Sequence, residues 1–279
     1  MDDALKLHTV RPIDVAAANR ILRALGAVND LEERMAASKT RPTHAQSQLN
    51  RDLSVGNAAF AYNCASNAVG TALDHLRTWY NILACDLGKL PMPILAHYTL
   101  ARAVYEPSLH TLWLLDATAT SRDRIGRGYA MELKSLQDMR KFQDAANPSE
   151  ANAQALIDRV LDGAARDGFL ALNKNGARKL TVPLKDMTAL FNDYDGPETP
   201  ERKPEWRYRM LSGLAHGRRW AVVGNAAEIE TATDEGYFMR PNWQFLQHFA
   251  DYTVRITSRA VAAFFEYRFE PSPSAGTSS

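Results

Sequence analysis

Leu73, Leu76, Tyr80 and Leu83 recur at spacings of 3, 4 and 3 inside an Ala-rich stretch. That period belongs to one face of an α-helix. A strand cannot sustain it, because strand side chains alternate every second residue. The same period returns along most of the chain, punctuated by capping residues, Pro and Gly. Pro12-Ile13-Asp14 opens a first helix carrying Val15, Ile21, Leu22 and Leu25, and Gly26 stops it. Residues 29–40, with Leu31 and Met35, read as a second helix. Thr43-His44-Ala45-Gln46 has the pattern of a capping box and predicts a long helix running towards Leu87, with Gly56 and Gly70 as its weak points.

Pro93 starts an apolar helix through Leu115, and Thr120-Ser121-Arg122-Asp123 caps another to about Phe142. Asn147-Pro148-Ser149-Glu150 combines an N-cap, a first-turn Pro and an acid, and its helix ends near Gly168. Asn175-Gly176 between short runs of strand formers predicts a small β-hairpin over residues 172–182. A short helix follows over 183–191, then an exposed loop over 193–204. Pro204 begins a helix that Gly217 ends, residues 223–236 read as an irregular loop, and Pro241-Asn242-Trp243 opens a closing helix to about Phe269. The sum is an all-α helical bundle with one β-hairpin insertion. It divides into an N-terminal helical segment (1–42), a bundle domain (43–270) and a Pro/Ser-rich tail (271–279) expected to be disordered.

The chain has 279 residues, 46% of them hydrophobic and 23% charged, which is enough apolar material for a substantial core. A net charge of +1 gives no global attraction to nucleic acid or anionic membrane, so any polyanion must be met by a local patch. Two cysteines, Cys64 and Cys85, are too few for a disulfide framework or a thiolate zinc site, and both read as inert core thiols. The acidic start lacks an apolar signal core, and no run reaches the roughly 18 apolar residues of a membrane span. A cytoplasmic protein is expected. No HExxH or similar ligand spacing occurs, Gly126-Arg127-Gly128 lacks the strand and third glycine of a phosphate loop, and Leu211-Ser212-Gly213 lacks the preceding Gly of a nucleophile elbow. Neither a metal nor a cofactor is expected.

Charge does cluster in one place. Residues 202–219 hold six cations (Arg202, Lys203, Arg207, Arg209, Arg218 and Arg219) against a single carboxylate, Glu205. Such a patch can steer a phosphate backbone. Within it, Arg209 and His216 are seven residues apart; at about 100° per residue they return to within roughly 20° of one another on a helix. Ser212 lies near the same face. An Arg, a hydroxyl and an imidazole together suit a phosphodiester: imidazole moves protons near neutral pH, and a guanidinium fork holds phosphorane oxygens. A purely structural alternative also exists, since a His in the last turn complements exposed carbonyls and the helix dipole.

An Arg followed by a His on a late helix of an all-helical chain resembles the HEPN superfamily. The pattern Tyr208…Leu211-Ser212…His216-Gly217 is also similar to uncharacterised all-helical proteins of actinobacteria. The resemblance rests on Arg209, His216 and the helical architecture. It implies a metal-independent endoribonuclease of a defence or toxin–antitoxin type, with Arg209, His216 and Ser212 at the catalytic centre. Tyr208, Arg207, Arg218 and Arg219 would contact RNA. It further implies a homodimer with a composite site, and an antitoxin or other protein partner. Met210 stands where active members often carry a polar residue, and this favours the alternative of a non-catalytic helical protein binding RNA, a nucleotide or a protein.

Arg102, Glu106 and His110 follow one another at four-residue spacing in the apolar helix. Charges there must find partners. An Arg102–Glu106 pair within the helix satisfies that need. The three also make a second pocket candidate, a wall facing the Arg209 helix or lining a small-molecule site. Asp74 with Arg77 reads as a surface pair. Arg122, Arg124, Arg127, Lys134, Arg140 and Lys141 read as a solvated face.

Overall fold

A computed structural model describes residues 15–86, 94–146, 152–169, 204–223, 225–233 and 236–271. Ten helices and one two-stranded sheet are described: α1 Val15–Leu25, α2 Val28–Ser38, α3 Gln48–Val55, α4 Ala59–Asp86, α5 Ile94–Leu114, α6 Ser121–Ala146, α7 Ala153–Arg166, α8 Pro204–Ala215, α9 Arg219–Val222, β1 Ala227–Thr233, β2 Gly236–Pro241 and α10 Trp243–Phe269. The chain is predominantly α-helical. Helix α5 is the central post: α4, α10 and α8 all pack on it. Helices α1, α2 and α3 also pack against α10, and α6 joins α4 to α7. Ile21, Leu25, Val28 and Leu31 of the first two helices enter the same core as Leu76, Trp79, Tyr105, Phe249 and Phe264. Each such side chain contributes about 1.5–3 kcal/mol on burial.

Local chemistry accounts for the element ends. Thr120 and Asp123 form a reciprocal capping box: Thr120 Oγ1 accepts from the Asp123 amide at 3.1 Å, and Asp123 Oδ2 accepts from the Thr120 amide at 3.2 Å. Asn242 caps α10 by accepting from the Phe245 amide at 3.0 Å. Gly168, at φ +80°, lies just beyond α7 in a conformation that disfavours side chains. Gly128 of α6 faces Ala61 of α4; a Cβ at 128 would sit 2.8 Å from the Ala61 Cα and 2.9 Å from its Cβ. The two helices cross where neither carries bulk.

Several expectations change. The 43–46 cap does not open the long helix. Ser47 caps α3 instead, accepting from the Asn50 amide at 3.3 Å, while the Thr43 hydroxyl accepts from Arg268 Nε at 3.0 Å. The chain does break at Gly56, between α3 and α4, whereas Gly70 lies inside α4 with nothing crowding it. The irregular loop expected over 223–236 is in part ordered: β1, inside it, pairs antiparallel with β2 and shifts register between Ile229 and Thr231. Arg77 pairs with Glu32 of α2 at 2.5 Å rather than with Asp74. Cys85 is exposed, not core. The hairpin expected at 172–182, the helix at 183–191, the loop at 193–203 and the tail beyond 271 lie outside the described residues.

The largest correction is Arg124. It does not sit on a solvated face but is 2% exposed and forks onto Asp52, itself fully buried, at 2.7 and 2.8 Å. Tyr267 and Gln48 also donate to that carboxylate, at 2.9 and 2.6 Å. Burial by itself raises the Asp52 pKa. The hydrogen bonds from Arg124, Ser121 and Gln48 and the Arg124 charge reverse this and hold it below the usual carboxylate value.

Candidate functional site at the C-terminal end of α8

Helix α8 is built from two unlike faces. Met210, Leu211 and Leu214 are buried, and Trp206 stacks on Phe249 of α10 with ring centroids 6.4 Å apart. Arg207 belongs to this inner face: it is 1% exposed, with its guanidinium 3.3 Å from the centre of the Tyr252 ring. It is therefore no part of an RNA-contacting surface. Glu205 and Arg209 occupy the outer face. The Arg209 fork donates twice to Glu205 Oε1, at 2.9 and 2.7 Å. Both side chains are well exposed. An exposed i,i+4 pair of this kind contributes only about 0.3–0.5 kcal/mol, so a phosphate competes with it readily.

The end of α8 sets the rest. The Arg218 amide donates to the Gly213 carbonyl at 2.8 Å, and the Gly217 amide to the Leu214 carbonyl at 3.0 Å. This is the Schellman arrangement, with Gly217 at φ +61° in the position that needs a left-handed residue. It places His216 at the cap, exposed, and turns the chain so that Arg218, Arg219 and Trp220 follow on the surface. Ser212 is half-buried, and its carbonyl accepts the His216 amide at 3.1 Å.

The guanidinium within reach of His216 is not Arg209 but Arg102 of α5. Its Nη1 lies 3.3 Å from His216 Nε2. A guanidinium only donates, so this contact assigns the lone pair to Nε2 and the ring hydrogen to Nδ1. Arg102 is held from two further sides. Its Nε pairs with Glu106 at 3.4 Å, and its guanidinium lies 5.7 Å from the centre of the Tyr208 ring. The Arg102–Glu106 pair inside α5 is as the spacing predicts. What the spacing does not show is that Arg102 also ties α5 to the cap of α8. The two candidate patches thus meet at one residue. His110, one turn further along α5, is half-buried; burial lowers its pKa, and the nearby Glu106 charge opposes that shift.

Of the six cations read from the sequence, Arg202 and Lys203 lie outside the described residues, Arg207 is internal and Arg209 is paired. Arg218 and Arg219 are exposed beside His216. The arrangement offers an imidazole whose Nε2 faces the Arg102 guanidinium, with two more guanidinium groups following His216 in the chain. Among the described residues no group of three or more His, Cys, Asp or Glu is placed to hold a metal ion. None of their helices is long and apolar enough to cross a membrane. Comparison with protein-family models, curated proteins and solved structures finds no match.

Proposed function

We propose that this chain is a HEPN-like, metal-independent endoribonuclease working in defence or toxin–antitoxin control, with His216 as its proton-transfer group. The observation that carries the reading is the Arg102–His216 contact at 3.3 Å on an exposed cap. His216 Nε2 takes the proton from a ribose 2′-hydroxyl. O2′ then attacks phosphorus, the bond from phosphorus to O5′ breaks, and the proton passes from the imidazolium to O5′. The products are a 2′,3′-cyclic phosphate and a 5′-hydroxyl. Arg102 turns from the imidazole onto the non-bridging oxygens as charge builds there. Arg218, Arg219 and Arg209 hold the flanking backbone, and Ser212 orients the cap. Two copies pairing their α8 ends, and an antitoxin covering them, complete the proposal.

The test is cleavage of a single-stranded RNA in excess EDTA by wild type and His216→Ala. Cleavage that survives the chelator and drops about 10²–10⁴-fold in the variant supports the reading. Equal cleavage by both proteins overturns it.

A second reading, a non-catalytic helical protein binding RNA, a nucleotide or a protein, draws on Met210. It is 5% exposed, so the residue after Arg209 faces the core rather than a substrate. Binding of RNA without cleavage by wild type favours this reading.

A further inference from the structure

Trp220 is 58% exposed, unusual for the largest apolar side chain. Its ring nevertheless has a defined seat. A Cβ built on Gly213 would lie 2.7 Å from Trp220 Cζ2 and 2.9 Å from Cη2, so the indole rests directly on the bare backbone of α8. Gly213 precedes His216 by three residues, and positions so spaced are neighbours on a helix, about 5–6 Å apart. The indole therefore rests on α8 at a position one turn before His216. Arg218 and Arg219, both exposed, come immediately before it in the chain.

We propose that Trp220 is the stacking platform for one nucleobase of a single-stranded RNA, next to the phosphate that His216 and Arg102 address. An exposed aromatic ring that follows two exposed arginines in the chain matches the two parts of a nucleotide: a π-face for the base and positive charge for the phosphate. Every base has such a face, so the platform selects single strands over duplex without selecting sequence. A paired base offers its faces only to its neighbours in the stack. Gly213 is the residue that makes the platform, because any side chain there displaces the ring. The inference deepens the ribonuclease reading and rests on its RNA substrate, but binding and cleavage are read separately.

The probe is a fluorescein-labelled 2′-O-methyl oligoadenylate of about ten nucleotides, which lacks the attacking hydroxyl and cannot be cleaved by this route. Its affinity is measured by anisotropy at fixed salt, with circular dichroism confirming that each variant folds. Trp220→Ala is expected to weaken binding about 5- to 150-fold, Trp220→Phe to retain most of it, and Gly213→Ala to weaken it with the indole still present. Affinity for a duplex of the same length should be the same in all four proteins. Equal single-strand affinity in wild type and Trp220→Ala overturns the platform even if the RNA-cleavage test succeeds. Loss of cleavage in His216→Ala with Trp220-dependent binding intact supports both. Absence of single-strand binding by wild type overturns the platform outright.

Discussion

Removing Asp52 should be the most damaging single substitution in the described core. The carboxylate accepts two bonds from Arg124, one from Tyr267 and one from Gln48, in a site where Asp52 is 0% and Arg124 2% exposed. In Asp52→Ala the guanidinium keeps the carbonyls of Asp116 and Ala119 and the Asp116 charge, and stays buried without the carboxylate it forks onto. Breaking a buried pair in this way costs about 3–5 kcal/mol. That is a large part of the total of roughly 5–15 kcal/mol that holds a domain folded. With about 2.1 cal/mol/K of unfolding entropy per residue over 279 residues, the melting temperature falls by about 5–9 °C. Calorimetry and guanidinium titration of wild type, Asp52→Ala and the double variant Asp52→Leu/Arg124→Met measure this. The double variant should recover most of the loss, because it removes both charges. The Asp52 pKa is lowered from 3.8, so its contribution is present above about pH 3.8 and is lost as pH falls through the folded-state value. A loss under about 1 kcal/mol in Asp52→Ala, or a double variant as unstable as the single, would refute the claim that this ion pair is desolvated.

Other consequences are sharp enough to check. Gly128→Ala drives a methyl into Ala61 of α4 and should cost about 1–3 kcal/mol in denaturant titration, whereas Gly70→Ala, with nothing within 4 Å, should gain up to about 1 kcal/mol. Burial, reinforced by Glu132, pushes the Cys64 thiol up to about 12, while Cys85 is exposed, so Ellman's reagent should titrate one thiol quickly and the other only on unfolding. Burial lowers the His110 pKa from 6.5, so its contribution is complete above that pH and is lost as pH falls from there to the folded-state value. Stability measured at about pH 7.5 and 5.5 should fall more in wild type than in His110→Gln; equal falls would contradict a half-buried imidazole whose pKa burial lowers.

The helices were legible because their signals are local. The stripe Leu73, Leu76 and Leu83 is buried, Asn242 caps the last helix, and Gly217 takes the positive φ its position predicts. The strand pair at 227–233 and 236–241 is not legible, because the pairing of Ala227 with Pro241 is set across fourteen residues and the sequence between the strands carries no Asn-Gly signal. Arg124 looks solvated in the sequence because its neighbours are charged; Asp52 lies 72 residues away, and only the packing of α3 on α6 brings them together. The same holds at the candidate site. Arg209 and His216 share a helical phase, but phase does not say which cation reaches the imidazole. Arg102, 114 residues before it, does. Its place on an apolar helix requires a partner, and the spacing names Glu106, but His216 as a second contact is not visible in the sequence. Gly213, an ordinary helix glycine in the sequence, acquires meaning only once Trp220 is seen resting on it.

The most direct measurement compares RNA cleavage in excess EDTA by wild type, Arg102→Ala and Arg209→Ala. If Arg102 is the guanidinium that serves His216, Arg102→Ala loses about 10²–10³-fold and Arg209→Ala less than about tenfold. The opposite order, with Arg209 indispensable and Arg102 dispensable, would contradict the account.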